Sequence, residues 1–431
     1  MKINLTGVII ASLAGLLFGF DTVVISGVTG ALRAVYHLSE ANLGLVVAAG
    51  LVGTFIGALF MGRLGDMMGG RDALRVIAAM YIVASLGCAL SWGLMPFVVF
   101  RFVLGLAIGG SSVLAPVYIS EIVPAERRGA LVGLFQFNIV FGILLAFLSN
   151  YAVSQVLTGE DAWRWKLGLA AVPAGVFFVL LFAISQSARW LVAKGRMDEA
   201  LASLQRLRIP DPAAMIAEFS RSDIGQGRLS WAQHKKPILF AMLLALFNQL
   251  TGINAILYYL SDIFSAAGFS SVSAEQQSIA VGGANLVATL LGMSLIDRMG
   301  RKRLLTIGAA GCAVALAGVA VIMATGQGQA WLLALLILFI VSFAFSQGAV
   351  IWVYMSEIFP TPVRATGQSL GSATHWVVNA LIAAVFPMVA AQTRALPFVF
   401  FAACTVIQLV VVAKFFPETK GVELEDMEKQ F

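Results

Sequence analysis

Twelve apolar segments, each long enough to cross a bilayer as a helix, constrain this chain more than any other feature. A membrane-spanning helix needs about 20 predominantly apolar residues. Only 12% of the 431 residues are charged, about half the charged fraction of an average soluble domain, and the mean hydropathy is +0.91. The pattern predicts an all-α membrane protein with twelve transmembrane helices. The segments cover approximately residues 6–29, 42–62, 74–94, 97–118, 130–151, 167–186, 237–260, 277–297, 304–324, 331–355, 367–389 and 396–416.

Basic residues are distributed unequally between the two sides of the predicted bundle. Of the 28 Lys and Arg, Arg101 lies deep within a segment and four (Arg33, Arg164, Lys166 and Arg394) follow odd-numbered segments, whereas Arg75 and Lys414 lie at segment ends and are counted with the adjoining even-numbered loop and C-terminal tail. The remaining 23 lie in the N-terminus, the even-numbered loops and the C-terminal tail. Cytoplasmic loops of membrane proteins are rich in Lys and Arg. We therefore expect both termini and the long 187–236 loop in the cytoplasm. The net charge of +6 then reflects membrane topology rather than a nucleic-acid partner.

Two short motifs occur twice, once in each half of the chain. The motif that begins at Asp66 recurs at Asp297, 231 residues later, and the Ser-Glu pair at Ser120 recurs at Ser356, 236 residues later. The similar offsets indicate one duplication, and two six-segment halves with a site between them form a transporter architecture. The predicted domains are the halves 1–186 and 237–416, a cytoplasmic helical linker at 187–236 and a cytoplasmic tail at 417–431.

Charged residues of these motifs lie at the cytoplasmic ends of the predicted helices. They are Asp66, Arg71, Glu121, Arg128, Asp297, Arg301, Glu357 and Arg364. Single surface ion pairs contribute little to stability. Organised as a network between the halves, present only when the cytoplasmic side is closed, they would favour the outward-facing state. We interpret them as a cytoplasmic gate. The alternative is that each is a loop charge that follows the positive-inside rule, and the repeated Glu-x6-Arg spacing argues against it.

The stretch Asn248–Tyr259 carries the main indication of a binding site. Side-chain amides at positions 248, 249 and 254 and hydroxyls at 258 and 259 lie within an apolar segment. Such groups are costly in hydrocarbon, so they are expected to face a protein interior or a water-filled cavity. Neutral amides and hydroxyls both donate and accept hydrogen bonds, which suits an uncharged, hydroxyl-rich ligand. The alternative is a hydrogen-bond cluster that only holds helices together.

A break in this helix is predicted at Thr251-Gly252. On an unbroken helix the side chains of Gln249 and Asn254 would point about 140° apart. A local loosening between them would let both converge on one site. Transporters commonly bind polar solutes at interrupted helices of this kind.

Asp21 and Arg101 are the two charges placed deep within the N-terminal segments. An ionised carboxylate in a membrane helix costs several kcal/mol unless it is paired or protonated, so we expect an Asp21–Arg101 ion pair. Gly105 and Gly109 follow Arg101 at a spacing that permits close helix packing. Burial disfavours the ionised carboxylate and a neighbouring Arg favours it, so small movements of the pair can make Asp21 take up or lose a proton. The alternative is a static structural ion pair.

Several motifs in the right order now identify a family resemblance. They are Gln249 with Thr251-Gly252-Ile253-Asn254 and Tyr258-Tyr259, Asp297-Arg298 with Gly300-Arg301-Lys302, both Glu-x6-Arg pairs, Arg189-Trp190-Leu191 and Pro417-Glu418-Thr419-Lys420-Gly421. In these motifs, and over essentially its whole length, the chain resembles the sugar porter family of the Major Facilitator Superfamily. The resemblance implies that fold, with the substrate in a central cavity. An Asp at position 21 is found in the proton-coupled members of the family, whereas many facilitators have a neutral residue there.

The resemblance also implies which residues contact the sugar. These positions are Gln136, Asn248, Gln249, Asn254, Tyr258, Asn285, Gly348, Trp352, His375, Trp376 and Asn379. The chain departs from the family pattern at several places: Asn248 replaces a Gln, His375 replaces an amide-bearing residue, Ala349 replaces a Pro, and Gly70 and Gln186 each remove a charge from the cytoplasmic motifs of the first half. The first two affect sugar selectivity, and the last two predict a weaker cytoplasmic lock in the first half.

The sequence therefore predicts a secondary active transporter that imports a monosaccharide, a hexose or pentose, together with a proton. It is predicted to be a monomer in the cell membrane of a bacterium, without a cofactor, because no P-loop and no cluster of metal ligands is visible. The closest alternative is a sugar uniporter, against which Asp21 argues. A sensor would be expected to have a longer cytoplasmic tail. A membrane-embedded enzyme would need a nucleophile–base pair or metal ligands that the sequence does not offer.

Overall fold

The computed structural model describes residues 5–123, 128–157, 159–206, 211–221, 229–360 and 363–420, without the side chains of residues 128–130, 221 and 365. Within these ranges twelve helices are long and apolar enough to cross a membrane, which confirms the predicted fold class. We number them helix 1 to helix 12. Their bounds are Leu5–Gly27, Glu40–Phe60, Gly70–Ala89, Leu94–Ile122, Leu131–Val156, Ala162–Leu180, Trp231–Tyr258, Ser271–Met299, Arg301–Thr325, Gln329–Glu357, Thr366–Gln392 and Leu396–Phe415.

Several of these helices are irregular or extended. Helix 1 ends in a 3-10 turn, and helices 5 and 11 begin three and two residues earlier as plain α-helix, at Arg128 and Arg364. Three helices are built from shorter pieces: helix 6 comprises Ala162–Gly168 and Ala171–Leu180; helix 7 comprises Trp231–Leu250 and Ile253–Tyr258; helix 10 comprises Gln329–Trp331, Leu332–Phe343, the π-helical turn Ala344–Gly348 and Ala349–Glu357. The short helices Thr29–Tyr36, Gly62–Met68 and Leu260–Ala266 lie between spans.

Three short helices, Ala188–Ala193, Met197–Arg206 and Pro212–Arg221, occupy the predicted linker. Their apolar faces pack on one another; Leu204, for example, is 3% exposed and lies against Phe219. The linker is also tied to the short helix Gly62–Met68, because Trp190 Nε1 donates to Asp66 O at 3.1 Å. The segment predicted as a linker is therefore helical in these three stretches.

The chain forms two compact units. The first contains the described residues of Met1–Val24, Ala49–Ser149 and Val156–Ile224. Within it, helix 4 packs closely on helix 2, because a Cβ at Gly105 would collide with Gly50 O and a Cβ at Gly109 would collide with Thr54 O. The small residues predicted from the sequence therefore allow the backbones of these two helices to approach.

The second unit contains the described residues of Ile25–Ala48, Asn150–Gln155 and Gly225–Phe431. It thus includes the ends of helices 1, 2 and 5 together with helices 7 to 12. One apolar cluster joins helices 7, 8, 9, 10 and 12, with Leu304, Tyr354 and Phe416 almost completely buried. Tyr354 also donates its hydroxyl to Pro417 O at 3.1 Å, which fixes the chain where helix 12 ends.

Candidate functional site

Helix 7 is interrupted where the sequence predicts it. The helix Trp231–Leu250 ends at Leu250, and a new helix begins at Ile253. Gly252 connects them with φ +79°, a left-handed conformation that glycine adopts without steric cost. A Cβ at this position would also collide with the ring of Phe401. A glycine is therefore required here both by the backbone angle and by the close approach of helix 12.

The break brings the amides of helix 7 together. Gln249, 1% exposed, donates from Nε2 to Asn248 Oδ1 at 3.1 Å, and its Oε1 accepts from Asn254 Nδ2 at 3.1 Å. Its Nε2 also lies 3.2 Å from His375 Nδ1 and 3.1 Å from Nε2. A neutral imidazole has only one acceptor nitrogen. Gln249 therefore hydrogen-bonds His375 through one ring nitrogen at a time.

One face of helix 11 lines the same region. Its residues at positions 375, 379 and 383 are four apart and so lie on one helical face. His375 contacts Gln249, Asn379 Nδ2 donates to Tyr258 Oη at 3.0 Å, and Tyr259 Oη donates to the carbonyl of residue 383 at 2.9 Å. Asn379 and Tyr259 are each 1% exposed. This face holds both sides of the helix 7 break in a single polar cluster, which we call the amide cluster.

Aromatic rings border the amide cluster. The ring of Trp352 in helix 10 lies 5.4 Å from that of His375, tilted by 52°, and the ring of Trp376 lies 5.1 Å from His375. Trp376 is 5% exposed, whereas Trp352 is 40% exposed. An open indole beside amides can contact the apolar C–H face of a sugar ring while the amides bind hydroxyls.

The hydrogen bonds of the amide cluster described above do not include the other predicted contact residues. Asn285 in helix 8 is buried, with 6% exposure, and Gly348 ends the π-helical turn of helix 10. Gln136 lies half-buried in helix 5, within the first unit. Their role in sugar contact stays a prediction. Among the described residues there is also no group of three or more His, Cys, Asp or Glu that could hold a metal ion.

Asp21 and Arg101 form a buried ion pair within the first unit. Arg101 Nη1 donates to Asp21 Oδ1 at 2.8 Å, and the two residues are 4% and 5% exposed. Arg101 Nε is buried without a hydrogen-bond partner among the described residues. The guanidinium also lies against helix 2, where a Cβ at Gly50 would be 3.2 Å from Nη2. The pair is thus held by one short contact, with part of its hydrogen-bonding capacity unused.

The backbone around Asp21 is fixed by a residue that the sequence did not single out. Tyr81 of helix 3, 1% exposed, donates its hydroxyl to Leu17 O at 3.0 Å. Leu17 lies one helical turn before Asp21, so the hydroxyl anchors helix 1 at the level of the ion pair. The feature of the sequence that could have indicated this contact is a single Tyr within an apolar segment, whose hydroxyl needs a hydrogen-bond partner when buried.

Three of the predicted gate residues of the second unit, Asp297, Arg301 and Glu357, form one ion-pair cluster. Arg301 donates to both carboxylate oxygens of Glu357, at 3.0 and 2.7 Å, and its Nη1 lies 3.1 Å from Asp297 Oδ1. Arg364 Nε donates to Phe359 O at 3.5 Å. Glu418, from the motif after helix 12, accepts from the backbone N–H of Arg301 at 2.8 Å and of Lys302 at 3.1 Å. A carboxylate at the start of helix 9 is favoured by the helix dipole.

The gate residues of the first unit are arranged differently. Arg71 pairs with its neighbour Asp72 at 2.9 Å, and Asp66 is exposed. Position 70, which corresponds to Arg301 in the repeat, is a glycine that packs against Tyr118. Glu121 instead lies near Ser187 and Arg189. The side chain of Arg128 lies outside the described residues.

A neutral amide takes the place of Glu418 in the first unit. Gln186 Oε1 accepts from Arg71 N at 3.1 Å, and its Nε2 donates to Met68 O at 3.0 Å and to Asp72 Oδ2 at 3.3 Å. These bonds span the turn at Gly69, where φ is +84°, and the corresponding turn at Gly300 has φ +88°. The sequence identified Gln186 only as a lost charge and missed this contact with helix 3.

Comparison with known proteins places the chain in a family. Residues 7–431 match the family model described as "Sugar (and other) transporter". The D-xylose-proton symporter of Escherichia coli strain K12 is 32% identical over 465 residues, covering 97% of this chain and 94% of that protein. The glucose transporter GlcP of Staphylococcus epidermidis is 34% identical over 430 residues, with 97% and 95% coverage.

A solved structure agrees in fold. The inward-open conformation of the xylose transporter XylE from E. coli matches this structure with a TM-score of 0.88 at 30% identity, covering 98% of this chain and 99% of that one. Another structure of XylE is described as a major facilitator superfamily proton:xylose symporter and covers 99% of this chain at 31% identity. The resemblance found in the sequence motifs is therefore confirmed: the chain belongs to the sugar transporter family and has the fold of the major facilitator superfamily.

Proposed function

We propose that this chain imports a monosaccharide, a pentose or hexose, together with a proton, by alternating access between its two predicted halves, 1–186 and 237–416. The observation that carries the sugar assignment is the amide cluster at the break of helix 7. Its groups are neutral, they are both donors and acceptors, and an exposed Trp352 ring borders them. The relatives named for D-xylose and for glucose support the same substrate class.

The amide cluster suits exchange of its internal hydrogen bonds for bonds to a ligand. Asn248, Gln249 and Asn254 are linked in one chain of hydrogen bonds. A sugar hydroxyl donates and accepts, so it can replace either partner of such a bond without leaving a buried group unpaired. A charged substrate would instead need a counter-charge, and the hydrogen bonds of the cluster involve no Asp, Glu, Lys or Arg side chain among the described residues. An uncharged polyol is therefore the substrate that fits these residues.

The Asp21–Arg101 pair supports proton coupling. Protonation of Asp21 would neutralise the carboxylate and release Arg101, and deprotonation would restore the pair. Removing one partner of a buried ion pair costs about 3–5 kcal/mol. The protonation state of Asp21 can therefore bias the arrangement of helices 1 and 4. The Nη1–Oδ1 contact and the Arg101 Nε without a hydrogen-bond partner among the described residues support this proposal, because a pair with unused hydrogen-bonding groups has less to lose when it separates. The name of the E. coli relative, a D-xylose-proton symporter, agrees with this proposal.

A counterflow assay in liposomes tests the substrate class. Purified protein is reconstituted with unlabelled D-xylose, D-glucose or myo-inositol inside, and uptake of labelled sugar is followed. We expect exchange with at least one pentose or hexose and none with an amino acid used as the control. Exchange with no sugar of the panel would contradict the proposal. Sugar-dependent proton uptake by the same liposomes is expected as well, and its absence alongside sugar exchange would identify a uniporter.

A further inference from the structure

Three charged side chains at or beyond the ends of the membrane-spanning helices form a bridged cluster within the second unit. Arg33, in the short helix Thr29–Tyr36, donates from Nε and Nη2 to the two carboxylate oxygens of Glu40, each at 3.0 Å. Its Nη1 donates to Asp262 Oδ1 at 2.9 Å. Arg33 belongs to the connection between helices 1 and 2, and Glu40 is the first residue of helix 2, whereas Asp262 follows helix 7. The Arg33–Asp262 bond is therefore the ion pair of this cluster that crosses between these two parts of the chain, and the side chain of Thr29 adds a hydrogen bond to Asp262.

Next to this cluster, small residues of the two parts of the chain pack closely together. Ser26 is 1% exposed; its Oγ lies 3.1 Å from Ser261 Oγ and accepts from Ser261 N at 3.1 Å. Farther along, helix 2 touches helix 11, where a Cβ at Gly44 would collide with Ala384 O. Glycine, serine and alanine make a tight contact without interlocking side chains. Such surfaces can separate without rearrangement of large residues.

The charge cluster is sheltered enough to contribute to this contact. The side chains of Arg33, Glu40 and Asp262 are 28%, 37% and 29% exposed. Burial raises the pKa of Asp262, and Arg33 opposes that rise. Burial likewise opposes the charge of Arg33, but Asp262 and Glu40 outweigh it and raise the pKa of Arg33. Asp262 therefore depends on Arg33 for its counter-charge, whereas Arg33 retains Glu40 if Asp262 is neutralised.

Alternating access, on which this inference rests, requires the substrate path to open at this end of the bundle at some stage. The distribution of basic residues predicts that this end faces away from the cytoplasm. The gate residues recognised in the sequence all belong to the opposite, cytoplasmic end. None of those predicted gate residues lies in the helix 1–2 connection or at the end of helix 7, which the Arg33–Asp262 bond joins.

We propose that Arg33 is the latch of the non-cytoplasmic gate, holding the helix 1–2 connection against the end of helix 7 through its bond to Asp262 while Glu40 keeps the guanidinium in place. Opening of this side breaks the Arg33–Asp262 bond and leaves the bidentate Arg33–Glu40 pair intact. The bond thereby stabilises the closed arrangement of these segments relative to the open one.

Accessibility of Ser26 tests the latch. Ser26→Cys, a change of one atom, places a thiol beneath the cluster, and its reaction with a hydrophilic maleimide is timed in lipid nanodiscs, where the reagent reaches both faces. The same variants with Ser26 retained give the background from Cys88, Cys312 and Cys404. Since only open protein reacts, we expect Arg33→Ala and Asp262→Asn each to raise the rate, by about tenfold for loss of one charge-assisted hydrogen bond. Arg33→Ala should have the larger effect.

Two further variants complete the design. Arg33→Asp combined with Asp262→Arg restores opposite charges and should return the rate towards that of the parent. Arg394→Ala is the matched control, because this arginine on the same side donates to Ala266 O at 2.7 Å, a residue of its own half, and should leave the rate unchanged. Labelling of Asp262→Asn at the parent's rate would overturn the proposal, whether or not Arg33→Ala can be recovered folded. No sugar or proton gradient is present, so this result is independent of the counterflow assay.

Discussion

Truncation of Gln249 to Ala is the sharpest test of the amide cluster. The side chain donates to Asn248 Oδ1 and to the His375 ring and accepts from Asn254, all at 3.1 Å. Its amide can therefore offer both a donor and an acceptor to sugar hydroxyls. Two such bonds, each with a net value of about 1 kcal/mol, amount to about 2 kcal/mol, or roughly a 30-fold loss of affinity. We expect this loss in the apparent affinity measured by counterflow of labelled D-xylose or D-glucose.

Gln408→Ala is the matched control for this truncation. Gln408 is 0% exposed, and its Oε1 accepts from Gln347 Nε2 at 3.1 Å, in a contact between helices 12 and 10. The two variants lose the same atoms from equally buried positions, so nonspecific effects on folding should be similar. The affinity of Gln408→Ala for sugar should stay within about twofold of the parent. An unchanged affinity in Gln249→Ala, or an equal loss in both variants, would refute the assignment of the site.

Three further outcomes are expected. His375→Gln should alter the ratio of the D-xylose and D-glucose affinities by about fivefold, the value of one hydrogen bond, with little change in melting temperature; an equal loss for both sugars would instead indicate a packing role. Gly252→Ala should lower the melting temperature, since φ is +79° and the added methyl would collide with Phe401. The control Gly283→Ala should not, because there is open space around Gly283. Equal melting temperatures for the two variants would contradict the account of the helix 7 break. Arg101→Ala should lower the free energy of unfolding by about 3–5 kcal/mol because it leaves Asp21 buried without its partner. Combining it with Asp21→Asn should recover part of that loss. A double variant less stable than Arg101→Ala alone would be inconsistent with a paired charge.

The features that could be predicted from the sequence depend either on neighbouring residues or on the small number of charges within the apolar segments. The break in helix 7 follows from Thr251-Gly252 placed between amides, and a glycine can take the left-handed angle that the turn requires. The Asp21–Arg101 pair follows because few charges lie deep in the segments of that half, and each needs a partner. The twelve helices follow from the length of the apolar segments alone.

The contacts that could not be predicted join residues far apart in the sequence. Arg33 and Asp262 are 229 residues apart, and Gln186 and Arg71 are 115 apart. Their meeting depends on how each helix is rotated and tilted against its neighbours, which apolar segments of uniform hydrophobicity do not specify. Arg71 shows a different limit, because it belongs to the predicted gate yet pairs with the adjacent Asp72. The motif in which it lies gives no indication of that choice.

Proton-driven accumulation of sugar by the Asp21→Asn variant tests the central claim most directly. The substitution keeps the size of the side chain and an acceptor for Arg101 Nη1 but removes the titrating group. Liposomes are given an inward proton gradient, and labelled sugar is followed beside a counterflow measurement on the same preparation. We predict that the parent protein accumulates sugar above its external concentration, while Asp21→Asn exchanges sugar for sugar but accumulates none. Accumulation by Asp21→Asn at the level of the parent would contradict the role assigned to Asp21, and failure of the parent to accumulate sugar would contradict proton coupling itself.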